Sequence, residues 1–482
     1  MTSCDVAVVG FGPVGATLAN LLGRDGVSVV VLEQATDVYQ LPRAAHFDGE
    51  VMRIFQSVGL SDEILPATAT MPGMDFVGAD GRLLLRFEAG DHQPHHGWPR
   101  TFMFHQPDLE RALWRGADRF PSVRTCLGTE VTAIVEDADG VTVTGRDLAT
   151  GAPVEVRARY LVGCDGARST VRRHAGIVLD DLRFDQPWLV LDTVLRDGAD
   201  PVLPDRAIQY CDPARPATFV PSAGRHRRWE FMLLDGDDPA AIEEPATVAD
   251  LLSPWVEVGR DVDVIRSAVY RFHALVAQRW RAGRLLLAGD ACHQMPPFLG
   301  QGMCSGIRDV ANLAWKLGLV LDGIADEDLL DTYQPEREPH VRAIARLAVE
   351  MGGIISTTDP EVAAARDASM SADRPAAQPE LPRTELAYRH GDHDLVGRRW
   401  PQPRIGDDEA LGHRFAVVGD AAADVEVDAA LQGWVRTTDV DPGPLPSGTV
   451  ALLRPDRFVA AAGDPADVTD ALRSLLTTKG TP

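Results

Sequence analysis

Residues 5–33 read "DVAVVGFGPVGATLANLLGRDGVSVVVLE". A short apolar run, 5–10, is broken by Gly10; Val14, Leu18, Leu21 and Leu22 then recur at helical spacing, and a second β-branched run follows at 27–33. Strand, glycine turn, helix and strand make a βαβ unit, so the sheet that opens the chain is expected to be parallel. Its turn is Gly10-x-Gly12-x-x-Gly15. The three glycines serve a tight turn, close backbone approach to a pyrophosphate, and close packing of helix on strand. The helix start, with Pro13 and Val14, offers unpaired N–H groups and positive potential to phosphates. Glu33 ends the second strand, placed to accept from a ribose hydroxyl, and Gln34 beside it joins the same cofactor-binding set. A bare glycine motif of this kind is weak, whereas βαβ context and a well-placed acid make it strong. It does not separate FAD from NAD.

With 482 residues the chain has material for two or three domains. Hydrophobic residues make up 45% and charged residues 24%, the ordinary balance of a globular protein. A formal net charge of −24 repels phosphate backbones and anionic lipid, so neither nucleic acid nor a membrane surface is an expected partner. The six cysteines are scattered without a C-x-x-C pair, which points to a reducing cytoplasm. The start "MTSCDVAVVGFG" has no basic or apolar leader, and no apolar run of membrane-spanning length occurs.

Residues 75–87 are expected to form a hairpin with its turn at Asp80-Gly81, and 129–166 several antiparallel strands. The stretch 184–273 is strand-rich. Within it Trp229, Phe231 and Leu233 alternate with Arg228, Glu230 and Met232, the pattern of a sheet covered on at least one face. A buried strand returns at 284–290, and Ile307, Val310, Ala314, Leu317 and Leu321 mark one face of a long helix. Pro335 and Pro339 predict a break in the helix after it. Residues 356–394 are a Pro- and Ala-rich linker with one or two short helices, and 395–482 a small α/β unit.

Two further segments have the same strand–glycine–helix form: "LVGCDGARSTVRR" (161–173) with Asp165, and "LLLAGDACHQMPPFLGQGMCSGIRD" (285–309) with Gly289 and Asp290. Three such returns have the spacing of a chain that meets FAD three times. No second βαβ unit surrounds Gly300-x-Gly302-x-x-x-Gly306, so no separate nicotinamide domain is expected. Cys292 and His293 are adjacent, lack the spacing of a zinc pair, and have no second pair downstream, so no metal site is expected.

With these motifs in view, the sequence resembles the class A FAD-dependent aromatic monooxygenases, which share the p-hydroxybenzoate hydroxylase fold. It is most similar to the 3-(3-hydroxyphenyl)propionate hydroxylases. The likeness covers about residues 4–350 through "PRAAHFDGEVMRIFQSVGL" (42–60), "HQPDLERAL" (105–113), "CDPARP" (211–216), "RRWEFML" (227–233), "GQGMCSGIRDVANLAWKL" (300–317) and "LLDTYQPERE" (329–338). It implies an α/β fold: a Rossmann-like FAD-binding domain from 1–74, 100–180 and 274–355, and a β-sheet substrate domain from 75–99 and 181–273. The C-terminal unit resembles the thioredoxin-like tail of larger members, yet no cysteine follows Cys304, so it cannot exchange dithiols. Packing or dimerisation is the role it is left with.

The resemblance also implies roles. Gly10, Gly12 and Gly15 hold the ADP half of FAD, and Glu33 its ribose. Arg43 lies near the pyrophosphate and the mobile flavin, Gln106 near the ribityl chain, and Asp165 in a segment serving FAD and transiently NAD(P)H. Asp290 binds the ribityl or pyrophosphate region. Pro296 and Pro297 lie beside the isoalloxazine, and Gly300, Gln301, Gly302, Met303 and Cys304 approach its O2/N1 edge. A helix beginning near Gln301 aims positive potential at the anion of a reduced flavin. The implied reaction is hydroxylation of a small phenolic substrate, with NADH or NADPH and O2, through a flavin C4a-hydroperoxide. Its setting is phenylpropanoid catabolism or aromatic natural-product biosynthesis, in a cytoplasmic monomer or homodimer. The cofactor carries the difficult step, so no catalytic triad is expected.

Phenol activation needs an acceptor, for which His46, Asp48, His105 and Tyr210 are candidates; Arg43, beside the mobile flavin, joins His46, Asp48 and Tyr210 among the catalytic candidates. Arg183 or Arg215 would pair with an acidic substrate. A flavin oxidase or dehydrogenase without oxygen insertion is the alternative. A flavin halogenase lacks its W-x-W-x-I-P signature here, and a non-enzymatic FAD-binding protein is the weakest reading.

Overall fold

The computed structural model describes residues 2–41, 43–89, 97–370, 376–377, 384–438 and 445–476. Parts of the expected units lie outside these: Met1, Pro42 and residues 90–96 in the first hundred, 371–375 and 378–383 in the linker, and 439–444 and 477–482 in the C-terminal unit.

The opening βαβ unit is formed as expected. Strand Thr2–Val9 pairs in parallel with Val29–Leu32 on one side and Pro153–Gly163 on the other, and Leu285–Leu287 continues the parallel order beyond it. The helix between them, Pro13–Arg24, buries Gly15 to Gly23 against the sheet. Burial on both sides explains why Val29–Leu32 is a continuous β-branched and leucine run rather than an alternation. Thr129–Asp137 and Gly140–Asp147 form an antiparallel hairpin on the edge of Pro153–Gly163, as the turn at Asp139-Gly140 predicts.

Among the described residues a second sheet has nine strands. Its centre is the long pair Leu179–Leu195 and Val262–Ala277, followed by His226–Met232, Ala217–Val220, Ala207–Cys211 and the hairpin Gly73–Gly78/Leu83–Glu88. The alternation around Trp229 decides its orientation. Leu189, Leu191, Phe219, Trp229 and Phe231 form one core face, covered by helix Pro245–Leu252. Their neighbours Val190, Thr218, Arg228 and Glu230 face a cavity.

Helix Gly302–Leu321 packs on Pro13–Arg24 and joins the two halves of the first core. The break expected at Pro335 and Pro339 is absent: one helix runs Tyr333–Ile355. Pro335 sits in the first turn, where an N–H has no intrahelical acceptor. Pro339 removes one rung only, and full burial of Val341, Ile344, Ala345 and Ala348 holds the helix through it. The linker contributes helix Pro360–Ser369. The C-terminal unit is a four-stranded sheet with helix Pro465–Leu476. It docks through buried ion pairs, Arg53 with Asp408 and Glu336 with Arg454, the latter also held by Asp456 of its own unit.

Candidate functional site

A cavity of about 1850 Å³ lies between the two sheets. Pockets for a single small ligand run to roughly 300–1,000 Å³, so this one has room for a dinucleotide and a second molecule. Its walls come from all three glycine-led segments and from the second sheet.

The first glycine turn supplies Gly12, Pro13 and Val14. A Cβ on Gly12 would meet nothing within 4 Å, whereas one on Gly15 would lie 2.1 Å from the Gly10 carbonyl oxygen. Gly12 therefore leaves the helix start open to the cavity, and Gly10 and Gly15 let strand and helix close behind it. Glu33 is outside the cavity wall and ties the turn together. One carboxylate oxygen accepts from Phe11 N at 2.7 Å and the other from Ala35 N at 2.8 Å. Gln34, exposed next to it, lines the wall.

The second wall segment holds Cys164, Asp165, Gly166 and Arg168. Asp165 accepts from Ser169 Oγ at 2.5 Å, Thr170 N at 2.6 Å and Val171 N at 3.1 Å. Its carboxylate caps the helix Thr170–His174 and keeps little acceptor capacity for a ligand.

The third segment forms the floor. Gly289, at φ +63°, turns the chain where a Cβ would strike Val14 at 2.9 Å, and its N–H donates to Asp309 at 3.2 Å. Asp309 is fully buried and also holds His293 at 2.6 Å and Arg337 at 3.0 Å. His293 is thus committed to Asp309, while Cys292 is buried with its thiol against the Leu287 carbonyl at 3.6 Å. Among the described residues no group of His, Cys, Asp and Glu could hold a metal ion. Asp290 differs from both neighbours. Its carboxylate opens into the cavity, and among the described residues no protein donor reaches it. Its position at the base of the cavity, beneath surrounding protein, pushes the Asp290 carboxyl up, with His293 and Arg43 acting against it. Pro297, Gly300, Gln301, Gly302 and Met303 complete the floor. Gly300 adopts φ +62°, and Gln301 is the N-cap of helix Gly302–Leu321. Cys304 lies behind it, fully buried, donating to Gly300 O at 3.5 Å.

Arg43, His46 and Asp48 also reach the cavity. Gln106 accepts at one oxygen from both Arg43 N and Ala44 N, each at 2.7 Å, and so fixes the loop that carries Arg43. Burial pushes His46 below the usual imidazole range, and its Nδ1 lies 3.4 Å from Gly300 O. Burial pushes the Asp48 carboxyl up, but contact with Arg308 outweighs this and holds it low. Arg308 in turn reaches Glu50 at 2.9 Å, and Arg399 of the C-terminal unit meets the same Glu50 oxygen at 2.5 Å.

Four candidates are not brought to the site. Tyr210 lies on the covered face of its strand, where its hydroxyl accepts from Trp255 Nε1 at 2.8 Å, so it cannot activate a substrate in the cavity. His105 stacks on His226 at 4.0 Å and pairs with Asp108 at 3.0 Å. Arg183 is exposed at a bulge with φ +62°, and Arg215 pairs with Asp237. Sequence reasoning missed Gln209, Asp192, Arg308 and His340, and gave Glu230 no role. The alternation "RRWEFM" carried the signal for Glu230, because a glutamate between two buried aromatics on a central strand must face something polar.

Residues 3–348 match the family model described as FAD binding domain. The chain is 46% identical over 428 residues to a probable NADH-specific resorcinol 4-hydroxylase of Rhodococcus jostii, covering 86% of this chain and 79% of that one. It is 43% identical over 365 residues to a 3-(3-hydroxy-phenyl)propionate/3-hydroxycinnamic acid hydroxylase of Mycolicibacterium smegmatis, covering 75% of this chain and 63% of that longer one. Among solved structures, aklavinone-11 hydroxylase in complex with FAD and aklavinone shares the fold, with a TM-score of 0.81 over 99% of both chains at 24% identity. No helix among the described residues is long and apolar enough to cross a membrane. The family model spans more than half of the chain, so the chain belongs to the FAD binding domain family and, with the resorcinol and hydroxyphenylpropionate enzymes, to its FAD-dependent aromatic hydroxylases.

Proposed function

We propose that the chain uses FAD, NADH and O2 to hydroxylate the ring of a small phenol inside the large cavity. The observation that carries this is Asp290, an acid with no donor among the described residues, set between two glycine-led helix starts that open on the same space. When bound, FAD supplies hydride acceptance and oxygen activation. The residues present fit it. Gly12, Pro13 and Val14 put a helix start, worth about half a positive charge, at the pyrophosphate. Glu33 keeps a lone pair on each oxygen for the ribose, with Gln34 beside it. Asp290 accepts from a cofactor hydroxyl, and Pro297 with Gly300 to Met303 brings backbone N–H groups to the flavin edge. Gln106 positions Arg43. Asp165 shapes the turn that presents Gly166 and Arg168, and Cys304 acts only as packing.

On the substrate side, His46, whose burial disfavours the charged imidazolium, is the acceptor we assign to the phenolic proton. Asp48, held by Arg308, positions rather than abstracts. The cofactor unit comprises 1–74, 100–180 and 274–355, the substrate unit 75–99 and 181–273, and residues 395–482 a thioredoxin-like unit that packs against the first. All six cysteines are free, which suits a cytoplasmic monomer or homodimer. The relative's NADH specificity favours NADH over NADPH.

The test is to purify the protein, record its visible flavin spectrum, and screen phenols for stimulated NADH and NADPH oxidation with mass analysis of products. Phenol-dependent oxidation with a product one oxygen heavier is expected. Peroxide without a hydroxylated product would favour the oxidase alternative. A colourless protein that does not take up FAD would end both.

A further inference from the structure

Glu230 sits at the centre of the substrate sheet. It is paired across strands with Val190 on one side and Thr218 on the other, and Thr218 is paired with Gln209. Cross-strand partners share a face, so Gln209, Thr218, Glu230 and Val190 form one row toward the cavity, and all four line it. Glu230 is 6% exposed, and no described hydrogen-bond donor reaches its carboxyl; Arg228 comes only to 3.9 Å. Thr218 turns its hydroxyl away, donating to Gln209 Oε1 at 2.6 Å. That contact fixes the Gln209 amide with its nitrogen on the Met74 side of the cavity, where among the described residues it finds only the Met74 sulfur at 3.4 Å. A strong acceptor and a poorly used donor therefore stand in one row, and a buried acceptor without a donor costs stability unless a ligand supplies one.

The next rung carries the cations. Arg228 donates to Asp192 at 2.8 Å and to the Arg43 carbonyl at 2.7 Å, and Arg266 reaches the other Asp192 oxygen at 3.4 Å. Both guanidiniums share one buried carboxylate, so the pair is already engaged within the protein. A substrate carboxylate brought to this row would share it with the Glu230 carboxyl.

We propose that Glu230 and Gln209 form a subsite for an uncharged ring hydroxyl, so that the chain selects a dihydroxylated phenol over a phenol bearing a carboxylate side chain. One hydroxyl donates to Glu230 and accepts from Gln209 Nε2, leaving the other for His46. This rests on the hydroxylase reading above and adds the substrate class to it.

The test uses the FAD-loaded protein and titrates the flavin absorbance with ligand, which needs no turnover. Resorcinol, 3-methoxyphenol and 3-(3-hydroxyphenyl)propionate are compared on the unmodified protein and on Glu230→Gln. On the unmodified protein, resorcinol is expected to bind at least ~10-fold more tightly than either analogue, since a site built around a substrate hydroxyl rejects ligands lacking it. Glu230→Gln should weaken resorcinol by ~10-fold through loss of a charge-assisted bond, while its FAD content stays unchanged and the discrimination against the carboxylate shrinks. Equal binding of resorcinol and 3-methoxyphenol, or tightest binding of the carboxylate, would overturn the subsite. The comparison on the unmodified protein decides even if the variant fails to fold. Retained diol preference without any hydroxylated product would support the subsite and refute hydroxylation alone.

Discussion

The stretch Gly289–Met303 and the row Gln209, Thr218, Glu230 line the same cavity, yet the two are built from different materials. The floor is backbone: glycines at φ +63° and +62°, a helix start and one lone acid. The roof is side chain: charged and polar groups that a central strand would ordinarily bury among apolar ones. A floor of backbone amides suits a cofactor that never changes, and a roof of side chains can be altered rung by rung to suit another substrate.

The largest effect on cofactor binding should come from breaking the floor. In Gly15→Ala the added methyl meets a carbonyl oxygen at 2.1 Å that belongs to the turn itself and cannot swing aside. Helix Pro13–Arg24 must then lift from its strand. We expect FAD occupancy to fall to roughly a tenth of wild type or less, with a lower melting temperature, consistent with overpacking costs of about 1–3 kcal/mol or more. Full flavin absorbance per protein in this variant would show that the close approach is dispensable.

This contrast also explains what the sequence made legible. The floor is spelled out locally: Gly10-x-Gly12-x-x-Gly15, Asp165-Gly166 and Gly289-Asp290 each carry their own turn, and the three together define a cofactor that is met three times. The roof depends on pairing between distant strands. Arg228 and Asp192 lie 36 positions apart, and Arg266 and Asp192 lie 74 apart, so no window of sequence shows that they meet. Tyr210 failed as a candidate for the same reason. Its strand was recognised but its face was not, and facing is set by the partner's register. The helices at 239–252 were missed although Asp238 before Pro239 gave a capping signal, and Pro339 was overread because burial on both sides of the helix outweighs one lost rung.

The roof should break by a different route. Asp192→Asn removes the one carboxylate that both guanidiniums share while keeping its shape. Breaking a buried ion network in this way costs about 3–5 kcal/mol. Urea denaturation should show that loss, with FAD retained in the absence of denaturant. Loss of FAD at unchanged stability would mean that floor and roof are not separable.

Asp290→Asn tests the one floor side chain assigned to the cofactor. Because no protein donor reaches it, the apo-protein should melt within about 0.5 kcal/mol of wild type. FAD affinity, read by fluorescence titration, should fall ~10-fold or more, the worth of a hydrogen bond to a charged group. The reverse pattern, poor folding with normal FAD affinity, would make Asp290 structural.

His340 lines the wall between the two, and burial beside Arg337 and Arg308 pushes its pKa down to about 2, from an ordinary 6.5. The folded protein keeps it neutral while the unfolded chain protonates it below about 6.5. Its contribution to stability is therefore complete above that pH and is lost as pH falls from 6.5 toward 2, at up to roughly 1.4 kcal/mol per unit. His340→Asn should flatten the decline of melting temperature between pH 6.5 and 5. An unchanged slope would place the acid sensitivity in the carboxylates instead.

The smallest effect is expected at Tyr210, and it is informative because the sequence offered this residue as a candidate. Tyr210→Phe removes one hydroxyl that accepts from Trp255 on the covered side of the sheet. The loss should be about 1 kcal/mol of stability or less, with kcat and KM for any phenol unchanged. Gln209 precedes it in the chain, points the opposite way and lines the cavity. Gln209→Leu should therefore raise KM for a diol where Tyr210→Phe does not. If the two variants behaved alike, the assignment of one face of this strand to substrate and the other to the core would be wrong.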